Sequence, residues 1–228
     1  MWVDGEQPPA PGASTTQTGN STSCVIDKPS GVVSGTVLYF AIQMNSTSPT
    51  TPALTGWSSI GIDSYASGFG DLTVLRRVAD ASEGATFTFT WTNSARFAAI
   101  MIALSGVDNT TPEDGVTPST NFGSSVTPTA TGITTATANA MLIMVSGHSH
   151  SGGTGEYATW SSPLAEVVEV GDGNGTTLAM ATGTQVTAGA SGNKTVTTDD
   201  RAWTAALISV RGVATASVKT LSLLGVGT

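Results

Sequence analysis

The residues best equipped for chemistry stand close together. The chain has two histidines, His148 and His150, in the run Ser146-Gly-His-Ser-His-Ser-Gly-Gly. On a strand, positions i and i+2 face one side, so this spacing would let both imidazoles reach one metal ion, with Glu156 as a third ligand. The plainer reading is a polar loop following a core strand, and the lack of a second His or Cys cluster favours it, so no metal and no cofactor are expected. Asp172-Gly-Asn174-Gly and Asp108-Asn109-Thr-Thr-Pro-Glu113-Asp114 offer oxygen ligands suited to calcium. Neither has the spacing and closing Glu of an EF-hand loop, and Asp-Gly-Asn-Gly is also what a hairpin turn with positive φ requires. The neighbours Asp199 and Asp200 would point to opposite faces of a strand or lie in a turn. The sequence shows no nucleophile elbow, paired carboxylate set, His-linked Ser or Gly-rich nucleotide loop, so a non-enzymatic protein is expected. Cys24 is the sole cysteine, and in Ser-Thr-Ser-Cys-Val-Ile it reads as a small core residue on a strand.

The elements that position these residues follow from composition. Only 11% of the 228 residues are charged, and Thr, Ser, Gly and Ala take their place. Solvated helix faces need Glu, Lys, Arg and Gln, whereas Thr and Val suit the pleated, half-buried surface of a strand. The net charge of −8 argues against nucleic acid or an anionic membrane as a partner, since both attract clustered Lys and Arg. No apolar run approaches the roughly 20 residues needed to span a bilayer, and Met1-Trp-Val-Asp-Gly-Glu lacks the order of a signal peptide.

Residues 1–20 contain Gln-Pro-Pro-Ala-Pro-Gly and then Ser, Thr, Gln and Gly, which predicts an extended arm. From Cys24 onward, runs rich in Val, Ile, Thr and aromatics recur between Gly, Pro, Asn and Asp clusters. Strands are expected near 22–27, 35–44, 56–62, 71–79, 85–91 and 96–105. A second set is expected near 126–134, 139–147, 157–161, 164–170, 176–187, 193–198 and 202–211. In Thr86-Phe87-Thr88-Phe89-Thr90-Trp91 aromatics and Thr alternate, so one face is buried and the other wet. Phe97 to Leu104 and Met141 to Val145 are continuously apolar, which fits central strands covered on both faces.

The chain also repeats itself. Phe97 to Val107 matches Trp203 to Val213 without a gap, and Gly35-Thr-Val-Leu-Tyr-Phe-Ala41 resembles Asn139-Ala-Met-Leu-Ile-Met-Val145. Trp57-Ser-Ser and Trp160-Ser-Ser follow, and Thr86-Phe-Thr-Phe89 has a weaker counterpart in Lys194-Thr-Val-Thr197. The four matches keep the same order. Pseudo-repeats of about 22–107 and 126–213 within one sandwich spanning 21–213 are therefore predicted, with the halves intertwined because neither carries enough apolar surface alone. Trp57 and Trp160 should occupy equivalent sites.

Lys28-Pro-Ser-Gly-Val-Val-Ser-Gly-Thr-Val-Leu38, Gly56-Trp57, Arg77 to Phe89, and Ala103 to Asp108 together resemble a jelly-roll-like module of tailed-phage virion proteins and of bacterial surface proteins. The resemblance covers about 22–213 and rests on strand ends and turns. It implies an all-β, antiparallel jelly-roll-like sandwich and brings no catalytic residues. The leading expectation is a virion protein made in the host cytoplasm, a capsid decoration or cement protein. It would contact the major capsid protein or other virion proteins and form a homo-oligomer. A tail or fibre component follows, and a carbohydrate- or receptor-binding module with Trp91, Tyr65 and Tyr157 as a platform is the other class. Partner contacts are expected from the arm, at Trp2, Pro8 and Pro9, and from the tail 214–228, at Leu221, Leu223 and Leu224. The tail reads equally as a further strand of the chain's own sheet.

Overall fold

The protein is described by a computed structural model that covers residues 7–45, 51–66, 70–114, 118–149 and 157–214. The first half supplies β1 (Ala10–Asp27), β2 (Val37–Asn45), β3 (Ser58–Ala66), β4 (Gly70–Val78) and β5 (Thr86–Ser105). The second supplies β6 (Ser119–Ser125), β7 (Thr129–Ala130), β8 (Thr134–Thr135), β9 (Ala140–Ser149), β10 (Ala165–Gly171), β11 (Thr176–Gln185), β12 (Gly189–Ala190), β13 (Lys194–Thr195) and β14 (Arg201–Val210). Among the described residues there is no helix, and all strand pairings are antiparallel.

The fold is an antiparallel β-sandwich. One five-stranded sheet runs β1-β5-β2-β4-β3 and the other β10-β11-β9-β14-β6. Each half builds one whole sheet, so the expected interleaving of strands between halves does not occur. The central apolar strands of a half find complementary neighbours within that half, where the connections are short. The duplication extends to register. Val37 stands opposite Leu104 and Val78, as Met141 stands opposite Val210 and Thr184. At the edge, Gly19 stands opposite Phe97 as Gly123 stands opposite Trp203, each glycine leaving room for the aromatic ring beside it. Gly35 (φ 86°) and Asn139 (φ 60°) open β2 and β9 from the same left-handed conformation, which Gly and Asn tolerate best.

Side-chain alternation separates two faces. Val37, Tyr39, Ala41, Ile100 and Ile102 point inward to meet Met141, Ile143, Val145, Ala206 and Ile208 of the second sheet in one buried core. Leu38, Phe40, Ile42, Ala99 and Met101 point outward, yet they too are buried. Their cover is a ribbon made where β1 and β5 bend back over the sheet. Between Ser21 and Ser23 the register shifts, and Cys24 and Ile26 pair with Phe89 and Phe87 on the ribbon. The bend is set locally: the Ser23 amide donates to Ser21 Oγ (3.3 Å), as the Thr127 amide donates to Ser125 Oγ (3.2 Å). The fold-back is closed by Thr15 Oγ1 donating to Asp27 O (2.6 Å) and by Ser119 Oγ donating to Thr131 O (2.5 Å). The molecule is thus layered ribbon, sheet, sheet, ribbon, the second ribbon being β7 paired with β13. Complete burial of a large apolar side chain contributes roughly 1.5–3 kcal/mol, so covering both faces of each sheet draws stability from nearly every position of β2, β5, β9 and β14.

Three expectations need correction. Residues 10–20 are the first part of β1, not a free arm: Ser14 to Asn20 pair with Ile102 to Arg96. They carry little apolar surface, and main-chain hydrogen bonds to β5 order them instead. The segments 85–91 and 96–105 are one strand, bent rather than broken. Lastly, 119–125, read as a connection between halves, is the edge strand β6, the counterpart of β1.

Candidate functional site

His148 lies in β9 on the face that the second ribbon covers, and it is 1% exposed. Its ring stacks on Tyr157 (centroids 4.7 Å apart, planes 2° apart), and among the described residues neither ring nitrogen has a hydrogen-bond partner. Burial pushes its pKa from 6.5 down to about 4, with the Arg201 cation adding to the fall and Asp199 opposing it. The ring is therefore neutral near pH 7 and buried beneath Tyr157. His150 and Glu156 lie outside the described residues.

The carboxylates singled out in the sequence form turns and ties. Asp172 closes the β10–β11 hairpin by accepting the amides of Asn174 (2.8 Å) and Thr176 (2.9 Å), with Gly173 and Gly175 at positive φ. Its carboxylate also meets Arg96 of β5 at 3.2 Å, joining the two halves. Burial alone would raise its pKa, but the two amides and the Arg96 cation hold it below the usual carboxylate value. Asp108 accepts the amides of Thr110 and Thr111, and these bonds lower its pKa. Asp199 pairs with Arg201 at 3.0 Å.

Two buried polar positions act in ways that sequence reasoning did not give: Asp114 reads there only as a possible oxygen ligand, and Gln43 was passed over. Asp114, fully buried, accepts the amides of Ala136 (2.7 Å) and Thr137 (3.1 Å), the Thr137 hydroxyl (2.9 Å) and Arg211 Nε (3.4 Å). It pins the connection between halves to the second half, a structural role that its reading as a calcium ligand beside Glu113 did not give. Gln43, buried between the sheets, accepts the Thr204 hydroxyl at 2.6 Å and lies over Gly147, which has no Cβ to obstruct it. The signal for Gln43 was a polar residue inside the apolar run of β2.

Cys24 is buried, and burial raises its thiol pKa to about 12. Trp91 and Tyr157, expected as a platform, are 8% and 6% exposed. Trp91 Nε1 donates to Ser21 O at the bend and Tyr157 Oη donates to Ser146 O, so both anchor the outer layers. The side chain of Tyr65 lies outside the described residues. An open depression of about 340 Å³ flanks Trp57 and is lined by Leu54, Arg77, Glu83 and Phe87 among others. Arg77 there is engaged by Asp80 and Glu83.

The geometry with most bearing on interaction is at the chain ends. The Gln7 amide donates to Val213 O at 3.0 Å, and the Val213 amide donates to Gly106 O at 2.9 Å. Gln7 and Val213, close to the two ends of the described residues, therefore stand side by side. Pro9 is buried and Pro8 half-buried, so these prolines pack on the chain itself, contrary to the expectation of a free arm. Trp2, Leu221, Leu223 and Leu224 lie outside the described residues. No protein-family profile, curated protein or solved structure matches the chain.

Proposed function

We propose that the chain is a non-enzymatic structural protein of a tailed-phage virion, a decoration or cement protein of the capsid made in the host cytoplasm. In this reading the layered sandwich supplies rigidity and the terminal segments supply attachment to the major capsid protein. Nucleic acid, membrane and cofactors have no part in it. The observation that carries the proposal is the pairing of Gln7 with Val213, from which residues 1–6 and 215–228 would extend side by side. Two segments rooted together can engage one partner surface at high effective concentration. The use of Asp108, Asp114 and Asp172 in turns and ties supports a scaffold role.

The test is deletion of 1–6 and of 215–228, leaving β1 intact. Each truncated protein is expected to melt within a few degrees of the full chain and to lose binding to purified particles. Full binding by both truncations, or failure of the full chain to co-purify with particles, would remove the cement reading. Recovery with isolated tails rather than heads would move the assignment to the tail.

A further inference from the structure

The depression beside Trp57 arises where the two halves differ, and strand pairing shows how. Ser58 stands opposite Arg76 as Ala165 stands opposite Thr182, so the turn before β3 corresponds to the turn before β10. Each turn is closed by one main-chain hydrogen bond: the Trp57 amide donates to Leu54 O (3.0 Å) and the Leu164 amide to Ser161 O (3.0 Å). Trp57 therefore takes the place of Leu164, not that of Trp160 as the repeat suggested, while Gly56 takes the place of Pro163 and Arg77 that of Gly183.

In the second half, turn and strand touch, for a Cβ at Gly183 would lie 2.5 Å from Pro163 O. In the first half Arg77 stands between them. Its guanidinium fills the room that Gly56 leaves, and a side chain on Gly56 would collide with Nη1. Glu83 holds Nε at 2.5 Å and Asp80 holds Nη2 at 2.9 Å, whereas Nη1 has no partner among the described residues. The fold is complete in the second half without such a wedge, so the opening is not a requirement of the architecture.

What the opening presents selects a ligand. Leu54, Trp57 and Phe87 supply apolar surface, and the exposed Thr86 and Thr88 supply hydroxyls that both donate and accept. The Arg77 cation is already met by two carboxylates, so an anion gains little there, and a cation would compete with Arg77 for them. A neutral molecule with an apolar face and a hydroxyl-bearing edge uses all of these groups. The volume of about 340 Å³ stands at the low end of the roughly 300–1,000 Å³ of small-molecule sites, which suits a short saccharide.

We propose that the depression between the Leu54–Trp57 turn and the ribbon part of β5 binds a neutral mono- or disaccharide. Its C–H face lies against Trp57, and its hydroxyls bond to Thr86, Thr88 and Arg77 Nη1. This inference rests on the first half and is independent of the virion proposal.

The test titrates the full chain with D-glucose, D-galactose, D-mannose and N-acetyl-D-glucosamine in turn, followed by amide and indole NMR shifts. At least one sugar should give saturable shifts at Gly84, Thr86, Thr88 and the Trp57 indole. Sodium sulfate and choline chloride, the anionic and cationic probes, should give none there. Thr86→Val with Thr88→Val keeps the branched shape at two exposed positions and should weaken binding about tenfold, as the loss of ordinary hydrogen bonds implies. Absence of saturable shifts at those residues with all four sugars overturns the proposal. So does tighter binding of sulfate or choline there, or unchanged sugar affinity in the valine variant. Should the double variant misfold, Thr86→Val and Thr88→Val are read singly, and unchanged affinity in both overturns it.

Discussion

Outside the first sheet, Phe87 and Phe89 of the ribbon close with Trp57 on Phe40, with Phe89 stacked on Phe40 at 3.8 Å. Outside the second sheet the corresponding ribbon positions hold Lys194 and Val196, and the space beside them is filled by Tyr157 stacked between His148 and Trp160. The correspondence comes from pairing: Ile26 faces Phe87 as Ala130 faces Lys194. Buried Lys194 reaches Ser162 O at 3.0 Å, and burial lowers its pKa. The indoles differ likewise, since Trp160 Nε1 donates to Glu166 at 3.0 Å whereas Trp57 Nε1 is buried with no partner among the described residues. The same backbone thus accepts an apolar layer on one side and a polar, titratable one on the other. Cover is what the sheet requires, and its chemistry is free to vary as long as buried polar atoms are mostly satisfied.

The largest expected effect is at the aromatic layer. Phe89→Ala should lose about 3–5 kcal/mol of unfolding free energy in denaturant titrations, because a fully buried ring with stacked and edge-on partners is removed. Val196→Ala, at the matching position, should lose roughly 2 kcal/mol. Equal losses would mean that both ribbons contribute alike and would break the comparison.

Acid should act on the second half. The folded His148 pKa of about 4 lies below the ordinary 6.5, so the unfolded chain binds the extra proton across that window. Stability is then full above 6.5 and falls as pH drops toward 4, by on the order of 3 kcal/mol. Equilibrium unfolding at a series of pH values should show this slope, and His148→Phe should lack it between pH 6.5 and about 5. A slope retained in the variant would place the acid sensitivity elsewhere.

The smallest effect sharpens the edge comparison. A Cβ at Gly123 would lie 2.6 Å from the Trp203 ring, and one at Gly19 would lie 2.9 Å from Phe97. Both Gly→Ala changes should cost about 1–3 kcal/mol of overpacking, with Gly123→Ala the costlier. Thermal melts that rank them in reverse would show that the second edge relaxes more easily than the first.

Much of this was legible in the chain. The alternation at Thr86 to Trp91 announced a strand with one buried face, and the unbroken apolar run from Phe97 to Leu104 announced one buried on both. The match of Gly35 to Asn139 carried the duplication into backbone conformation. The ribbon match of Thr86 to Lys194, however, was one residue out of step, for pairing sets Phe87 against Lys194. Strand period is two, so a slip of one residue exchanges inside for outside, and only the partner strand fixes it. The first part of β1, before residue 22, and the whole of β6 were missed because they are edge segments of Ser, Thr and Gly; the equal spacing of Gly19, Ser21 and Ser23 to Gly123, Ser125 and Thr127 was their signal.

The sequence by itself determined the β class, the repeat and the set of residues that must be buried, because propensity and alternation are properties of neighbours along the chain. Tertiary structure alone decided that each half completes one sheet, that the ends meet at Gln7 and Val213, and that His148 is sealed beneath Tyr157. Those outcomes depend on contacts between residues far apart in sequence. Thr and Ser pair equally well with many strands, so only the packed whole selects among them.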